Sequence, residues 1–369
     1  MEITRSTKCS FKFATAAKAA ELRRILDEYA VVVNFFIKKF WDHCPSKSRL
    51  LKTIVNTPDT WLDYTLRQTA AREAVDMITA SKTRHGARAI VPEHKAKSMR
   101  VSTGTAQLLQ AKTASIFNLW LSVKVGNKDK AHRISIQLPV LPHKHMQKLA
   151  SRGKMCGSFT ITDHSVQLAY KIDIGNPRPV SKAIGVDTGI KALASLSTGE
   201  QYGREMESMI QRVRRRKQGS KGQQRARRSM KQFIDRIAKR IAAKPVDLIV
   251  AEDLTGISHN TKARLGKRMR ATIGNWNQRY WLGRLEMACE MNRVQFHVVP
   301  PAYTSQTCHQ CGHVDRSNRN GEAFCCKKCG HACNADINAA RNILSRFESG
   351  VKGPACKGVN FSGYCPVST

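Results

Sequence analysis

Lys182-Ala-Ile-Gly-Val-Asp187-Thr-Gly-Ile-Lys-Ala-Leu-Ala-Ser-Leu-Ser197 reads as a strand, a tight turn and a second strand, and Thr198-Gly199-Glu200 makes another turn behind it. An aspartate closes the first strand. Further on, Lys244-Pro245 ends a helical stretch, and in Val246-Asp-Leu-Ile-Val-Ala-Glu252-Asp-Leu254 the residues from Leu248 to Ala251 form a continuous apolar run that stops at a pair of acids. Such a run predicts a strand buried on both faces, of the parallel type. A second carboxylate therefore also sits at a strand end. Near the C-terminus comes Asn334-Ala-Asp336-Ile-Asn-Ala-Ala-Arg341. Asn334 is a good N-cap, which puts Asp336 in the first turn of a helix, where the macrodipole favours its charge.

Each acid alone has a plain explanation, since Asp336 could serve only the helix dipole. Taken together they suggest a cluster. Three carboxylates brought close repel one another unless divalent cations bind between them. Asp187, Glu252 and Asp336 are thus candidate ligands for two Mg²⁺ ions of the kind used in phosphodiester hydrolysis.

Between the second and third acids lie Cys308-His-Gln-Cys311-Gly and Cys326-Lys-Lys-Cys329-Gly. Each C-x₂-C-Gly knuckle presents two thiolates on a tight turn, and two knuckles complete a closed tetrahedral site for one structural Zn²⁺. Cys325 and Cys333 are spare thiols; replacing Cys326 by Cys325 would need a poorer x₃ spacing. Six of the 12 cysteines fall between Cys308 and Cys333 and the others are scattered singly. That clustering favours metal in a reducing compartment over disulfides, and a cytoplasmic, nucleoid-associated setting is expected.

The chain of 369 residues is long enough for two or three domains. Its 63 Lys and Arg against 27 Asp and Glu leave a net charge of +36, which makes small neutral substrates an unlikely target and a nucleic acid the leading partner. The apolar stretch around Tyr29 to Ile37 is too short to span a membrane, so no membrane partner is expected. Residues 204–244 carry 15 Lys or Arg and only 3 acids. A sparse apolar stripe through Ile210, Val213, Met230, Phe233, Ile234, Ile237 and Ile241 predicts helices there. Solvation alone does not require so much charge, and Arg214, Arg215, Arg216, Arg225, Arg227 and Arg228 are the candidate phosphate contacts, taken as a group.

Elsewhere residues 1–15 alternate like a strand, and residues from Ala16 to about Thr83 show helical spacing punctuated by Pro45 and Pro58. A period of two returns from Ile116 to Ile174, with hairpin connections at Gly126-Asn127 and Asp163-His164. Gly175, Pro177 and Pro179 mark a linker. After a Gly- and Arg-rich connection to Gly274, Trp276 to Met291 reads as a helix and Val294 to Val299 as a strand. The tail after Phe347 has no helical pattern.

The order of these motifs resembles the transposon-encoded TnpB (OrfB) proteins and their relatives, the compact type V CRISPR effectors. The resemblance is carried by Gly185-Val-Asp187-Thr-Gly-Ile-Lys and Val250-Ala-Glu252-Asp-Leu for the first two RuvC motifs. Pro301-Ala-Tyr-Thr304-Ser305-Gln306-Thr307-Cys308 through Cys329-Gly-His matches the zinc ribbon, and Asn334-Ala-Asp336-Ile-Asn-Ala-Ala the third motif. It is close over residues 182–344 and only architectural before that. It implies a multidomain α+β protein: an RNase H-like (RuvC) nuclease domain with an inserted four-cysteine zinc ribbon, preceded by a wedge β-barrel that a helical recognition lobe interrupts. The corresponding boundaries are 1–15 and 101–180 for the wedge, 16–100 for the recognition lobe, 181–300 and 334–347 for the nuclease, 301–333 for the ribbon and 348–369 for the tail.

The function so implied is that of an RNA-guided DNA endonuclease. It would take a transposon-derived guide RNA, cleave double-stranded DNA beside a short target-adjacent motif, and use Asp187, Glu252 and Asp336 as its metal-binding triad. A monomer is favoured. Two other readings of the same residues remain open: a guide-free transposase or nuclease on branched DNA, and a non-catalytic RNA-guided regulator. An Asp-x-Gly phosphate turn also occurs in sugar kinases, but the basic segment and the ribbon argue against that.

Overall fold

The computed structural model describes residues 1–111, 117–126, 134–253, 276 and 278–350. It divides into two compact units that meet in sequence at Asp173 and Ile174, with Met1 belonging to the second.

In the unit of residues 2–173, β1 (Glu2–Ser10) pairs along its whole length with β8 (Ser165–Asp173), antiparallel, from Glu2 opposite Asp173 to Ser10 opposite Ser165. Behind β8 follow β7 (Ser158–Thr162) and β2 (Ser98–Ser102), and β6 (Lys154–Met155) also pairs with β8. Asp163 and His164 form the β7–β8 connection, as the sequence predicts. A separate sheet holds β3 (Ala106–Gln110), β4 (Leu119–Val125) and β5 (Ile134–Pro139). Asn127 of the other anticipated hairpin lies outside the described residues.

The barrel implied for these strands is not closed among the described residues, where they form two open sheets. Alternation along a strand tells which side chains face inward but not which strand lies beside it.

The helical part is built on α1 (Ala16–Phe40), capped by Thr15, and α3 (Tyr64–His85), capped by Asp63. Between them lies the short α2 (Lys52–Val55), and α4 (Lys144–Ala150) follows β5. Leu22, Ile25, Leu26, Tyr29, Val33, Phe36 and Ile37 bury one stripe of α1, and Leu66, Ala70, Ala74 and Ile78 one of α3. The Tyr29 hydroxyl donates to Glu73 Oε2 at 2.9 Å, giving the buried carboxylate a partner across that contact.

In the second unit a mixed sheet runs in the order β11 (Gln201–Tyr202), β10 (Ala194–Leu196), β9 (Ala183–Asp187), β12 (Leu248–Glu252), β13 (Gln295–Val299). β9, β12 and β13 are parallel; β10 and β11 are antiparallel to their neighbours. Both faces of β12 are covered, as its unbroken apolar run requires. Ile249 and Ala251 join a core with α5 (Met206–Arg214), α6 (Lys221–Ala242) and α7 (Gln278–Met291), whereas Leu248 and Val250 join Ile343 of α8 (Ala335–Glu348). The Gly- and Arg-rich connection to Gly274 lies mostly outside the described residues, as does the tail beyond Gly350.

The four-cysteine segment lies between β13 and α8. It contains a small sheet of β14 (Arg319–Asn320), β15 (Ala323–Cys325) and β16 (Ala332–Asn334). Among the described residues no helix is long and apolar enough to cross a membrane.

Candidate active site and nucleic-acid interface

Asp187 and Glu252 are the last residues of the adjacent parallel strands β9 and β12. Their register sets Val186 beside Ala251, so the two carboxylates emerge at the same edge of the sheet. Carboxyl ends of parallel strands are where open sheets place ligands, because the following chain turns away on either side. Asp336 arrives from α8. Asn334 caps that helix as predicted, accepting from the N–H groups of Asp336 at 3.0 Å and Ile337 at 3.2 Å.

Asp187 feels the charge of the other two acids. Burial pushes the Asp187 carboxyl well above the usual carboxylate range, and repulsion from Glu252 and Asp336 pushes it further. Nearby Arg319 and the backbone N–H of Thr188 oppose this. Glu252, 7% exposed, is also raised, chiefly by burial, against the pull of the Thr304 hydroxyl, Arg346 and Arg319.

Several partners of the acids could not be read from the sequence. Thr304 Oγ1 donates to Glu252 Oε1, and the Thr304 carbonyl accepts from Asn342 Nδ2 of α8 at 2.8 Å. Arg319, on β14, donates from Nη2 to Asp336 Oδ1 at 2.8 Å. Arg346 donates to the Pro300 carbonyl at 2.8 Å. No spacing rule announces Arg319 or Arg346. Thr304 stands in the quoted ribbon motif, but only the fold gives its hydroxyl to Glu252.

The residues flanking the acids have structural partners of their own. Thr188 Oγ1 accepts from Trp281 Nε1 at 3.1 Å in the core. Asn338 donates to the Thr307 carbonyl at 2.7 Å and accepts from the His309 N–H at 3.1 Å. Arg341 donates to the Ser197 carbonyl at 3.3 Å. These side chains tie the turn after Asp187, the cysteine-rich segment and α8 together.

The four cysteines converge. Sγ of Cys308 and Cys329 lie 3.7 Å apart, and those of Cys311 and Cys326 lie 3.5 Å apart. A zinc tetrahedron with Zn–S near 2.3 Å has S···S edges of about 3.8 Å, so this spacing suits such an ion. Gly312 and Gly330, at φ 71° and 72°, close the two knuckles in a conformation that a side chain would strain. The Cys329 N–H, 3.5 Å from Cys326 Sγ, pulls the Cys326 thiol down to about 6, toward the thiolate that a metal needs.

On the far side of the sheet core, α5 and α6 present the arginines. Arg212, Arg216 and Arg225, with Gly222, Ala226 and Ser229, line a cleft of about 350 Å³. Two of the six arginines singled out from the sequence line it. Arg212 joins them and was not among the six. Arg215, Arg227 and Arg228 are exposed on the same two elements and the loop between, and Arg214 is half-buried.

Residues 281–343 match the family described as Cas12f1-like, TNB domain. A TnpB-like protein of Aquifex aeolicus is 30% identical over 156 residues, covering 37% of this chain and 50% of that one. In sequence the chain is similar to a TnpB-like protein.

Among other relatives, a putative RNA-guided DNA endonuclease, InsQ of Escherichia coli, is 28% identical over 222 residues, 52% of this chain and 54% of its own. The endodeoxyribonuclease Cas12f1 of Sulfoacidibacillus thermotolerans is 38% identical over 96 residues, 26% of this chain and 21% of its own. The chain thus spans about half the length of two of these curated relatives and about a fifth of the third. In fold, it superposes on a Cas12f1 chain solved as a complex with sgRNA and target DNA, with a TM-score of 0.58 at 13% identity, over 89% of this chain and 83% of that one.

Proposed function

We propose that this TnpB-like chain is an RNA-guided DNA endonuclease, in which a RuvC-type, RNase H-like unit cuts double-stranded DNA beside a short target-adjacent motif selected with a transposon-derived guide RNA. The observation that supports this reading is that Asp187 and Glu252 end adjacent parallel strands and Asp336 stands in the first turn of α8, with the charge of Glu252 and Asp336 acting on the buried Asp187. Desolvated, mutually repelling oxygen ligands suit a hard divalent cation, and these three would hold two Mg²⁺ ions. Bound there, Mg²⁺ supplies Lewis-acid activation of a water and stabilisation of the leaving 3′ oxygen.

The remaining chemistry belongs to the chain. The Thr304 hydroxyl fixes the rotamer of Glu252, and Arg319 neutralises Asp336 until a ligand competes for it. Asp336 stands in the first turn of α8, at the positive end of the helix dipole. Trp281, through Thr188, holds the turn behind Asp187. The four thiols would hold one structural Zn²⁺, which keeps Thr304 and Arg319 in register with α8. Arg214, Arg215, Arg216, Arg225, Arg227 and Arg228 would meet nucleic-acid phosphates.

In this assignment residues 181–300 with 334–347 are the nuclease domain and 301–333 the ribbon. Residues 1–15 with 101–180 form the wedge and 16–100 the recognition lobe. Guide pairing would read sequence while the protein reads backbone shape and the adjacent motif.

The test is a purified protein with its copurifying RNA and a matched DNA duplex. Asp187→Ala, Glu252→Ala and Asp336→Ala proteins are expected to keep RNA and target binding and to lose Mg²⁺-dependent cleavage. Undiminished cleavage by all three overturns the assignment, and absence of any bound RNA with a defined end favours a guide-free nuclease.

A further inference from the structure

Beside the four cysteines stands a second set of ligand-type groups. His309 follows the first cysteine of one knuckle, His331 follows the glycine of the other, and Cys333 lies on β16. One ligand atom from each lies within 4.8 Å of the other two, and all three residues are half-buried. The rings of His309 and His331 meet edge to face, with centroids 4.5 Å apart.

Three features suit these side chains to a cation. Asn338 Oδ1 lies 3.0 Å from His309 Nδ1 and also accepts the His309 main-chain N–H, which places the ring proton on Nδ1 and leaves Nε2 with its lone pair. Metal-binding histidines are generally oriented in this way by a second partner on the other nitrogen. His331 Nε2 is buried and has no hydrogen-bond partner, a cost that a ligand on that nitrogen would relieve. Cys333 pairs with Phe324 across β15 and β16, so its position is set by the sheet rather than by a mobile loop.

We propose that His309, His331 and Cys333 form a second metal site, distinct from the four cysteines, that takes a borderline-soft divalent ion such as Zn²⁺. Two imidazoles and one thiolate do not suit Mg²⁺ or Ca²⁺, which prefer oxygen. Three protein ligands leave a fourth position open, unlike the closed four-thiolate site.

Occupancy of this site has a defined consequence. Arg341 Nη1 stands 3.0 Å from His309 Nε2, and its Nε donates to the Ser197 carbonyl. A cation on Nε2 displaces that guanidinium, so the ion binds more weakly here than among four thiolates. Arg341 belongs to α8, the helix that also carries Asp336, so binding reaches the acidic cluster through one element.

The full-length chain, stripped with a chelator, is titrated with Zn²⁺ against a chromophoric competitor, and metal is counted after desalting. Two equivalents are expected for the unaltered protein, one tight and one weaker. His331→Ala with Cys333→Ser retains the tight one alone, and Cys311→Ser with Cys329→Ser loses it. With His331 in place, Cys333→Ser loses the weaker equivalent and Cys333→His keeps it. Uptake of a single equivalent by the unaltered protein overturns the proposal, as does uptake of two by the His331→Ala, Cys333→Ser protein with an unchanged circular dichroism spectrum. The titrations are made without nucleic acid and with Asp187→Ala and Asp336→Ala in every protein, so that the acidic cluster takes no ion and the outcome is independent of the nuclease reading.

Discussion

Gly185 on β9 lies so close to Ala340 on α8 that a methyl group in place of its hydrogen would stand 2.0 Å from the Ala340 carbonyl oxygen and 3.0 Å from the Leu344 nitrogen. The obstruction is backbone on both counts, so no side chain can swing aside. This close approach lets α8 lie directly on β9 and so brings Asp336 to the same edge as Asp187. Gly185→Ala is expected to push the helix off the strand, at about 1–3 kcal/mol by the usual cost of overpacking. For a domain of this size each kcal/mol lowers Tm by about 2–4 °C. Cleavage should fall further than stability does, by about 10²-fold, because a displacement near 1 Å misplaces the acids. A variant that melts lower but cleaves at the normal rate well below its Tm would separate the packing from the site.

The raised Asp187 carboxyl has a thermodynamic sign. A carboxyl whose folded value lies above its unfolded one binds its proton more tightly when folded, so without a cation stability falls as pH rises through the raised value. At pH 7 in chelator, Asp187→Asn is therefore expected to melt higher than the unaltered protein, by about 2–4 °C for each kcal/mol of relieved repulsion. Mg²⁺ reverses the order, because ligand binding stabilises only the protein that can hold it. Melting curves in EDTA and in Mg²⁺ check both halves, and an Asn variant equally destabilised in each medium contradicts the cluster.

Asp247 offers the opposite sign in a place away from the acids. Its Oδ2 accepts from the Ser181 hydroxyl at 2.8 Å and from the Ser181 and Lys182 N–H groups at 3.1 Å each, tying the approach to β9 onto the start of β12. The hydroxyl first, then the two amides, hold this carboxyl below its ordinary value of 3.8. Its contribution is complete above 3.8 and is lost as pH falls through the lower folded value. The Tm difference between the unaltered protein and Asp247→Asn should be positive near pH 6 and should shrink as pH falls below 3.8. A difference independent of pH would assign the effect to shape and not to charge.

Disrupting the four-thiol site should be felt beyond the cysteines. Asn338 and Asn342 on α8 donate to the Thr304 and Thr307 carbonyls, and Asn338 is wholly buried. If the knuckles open, these amides are left without acceptors at about 1–3 kcal/mol for each buried group left unpaired. Cys311→Ser with Cys329→Ser is thus expected to speed hydrogen exchange in α8 while α1 amides exchange at the ordinary rate. Unchanged protection in α8 would mean that its hold on β9 suffices without the ribbon.

What the sequence disclosed and what it withheld follow from the range of each interaction. The strand ending at Asp187, the buried run ending at Glu252, the Asn334 cap and the two knuckles are local patterns, and each lies where its period or spacing predicts. The pairing of β1 with β8 joins residues more than 150 positions apart, and alternation alone does not select that partner. The same indifference explains why two open sheets stand where a barrel was expected. Arg319 on Asp336 and Thr304 on Glu252 are single side chains reaching across tertiary distance, and neither belongs to any repeat. Arg212 escaped because it precedes the Arg214-Arg215-Arg216 run, yet a helical turn brings it into the cleft beside Arg216.

That cleft gives the diffuse charge of the basic segment a specific expectation. Arg212, Arg216 and Arg225 converge around a space of about 350 Å³, large enough for a phosphate with part of its sugar. Every phosphate that the protein ceases to neutralise lowers the slope of log K against log salt by about 0.7–0.9. Arg212→Ala, Arg216→Ala and Arg225→Ala together are then expected to reduce the slope for nucleic-acid binding by up to about 2–3, with affinity weakened at low salt and little changed at high salt. Replacing the exposed Arg227 and Arg228 instead should cost less if the cleft concentrates the binding, because phosphates at an open surface keep more of their counterions. Equal slopes for the two sets of variants would return the charge of this segment to a general field without a preferred seat.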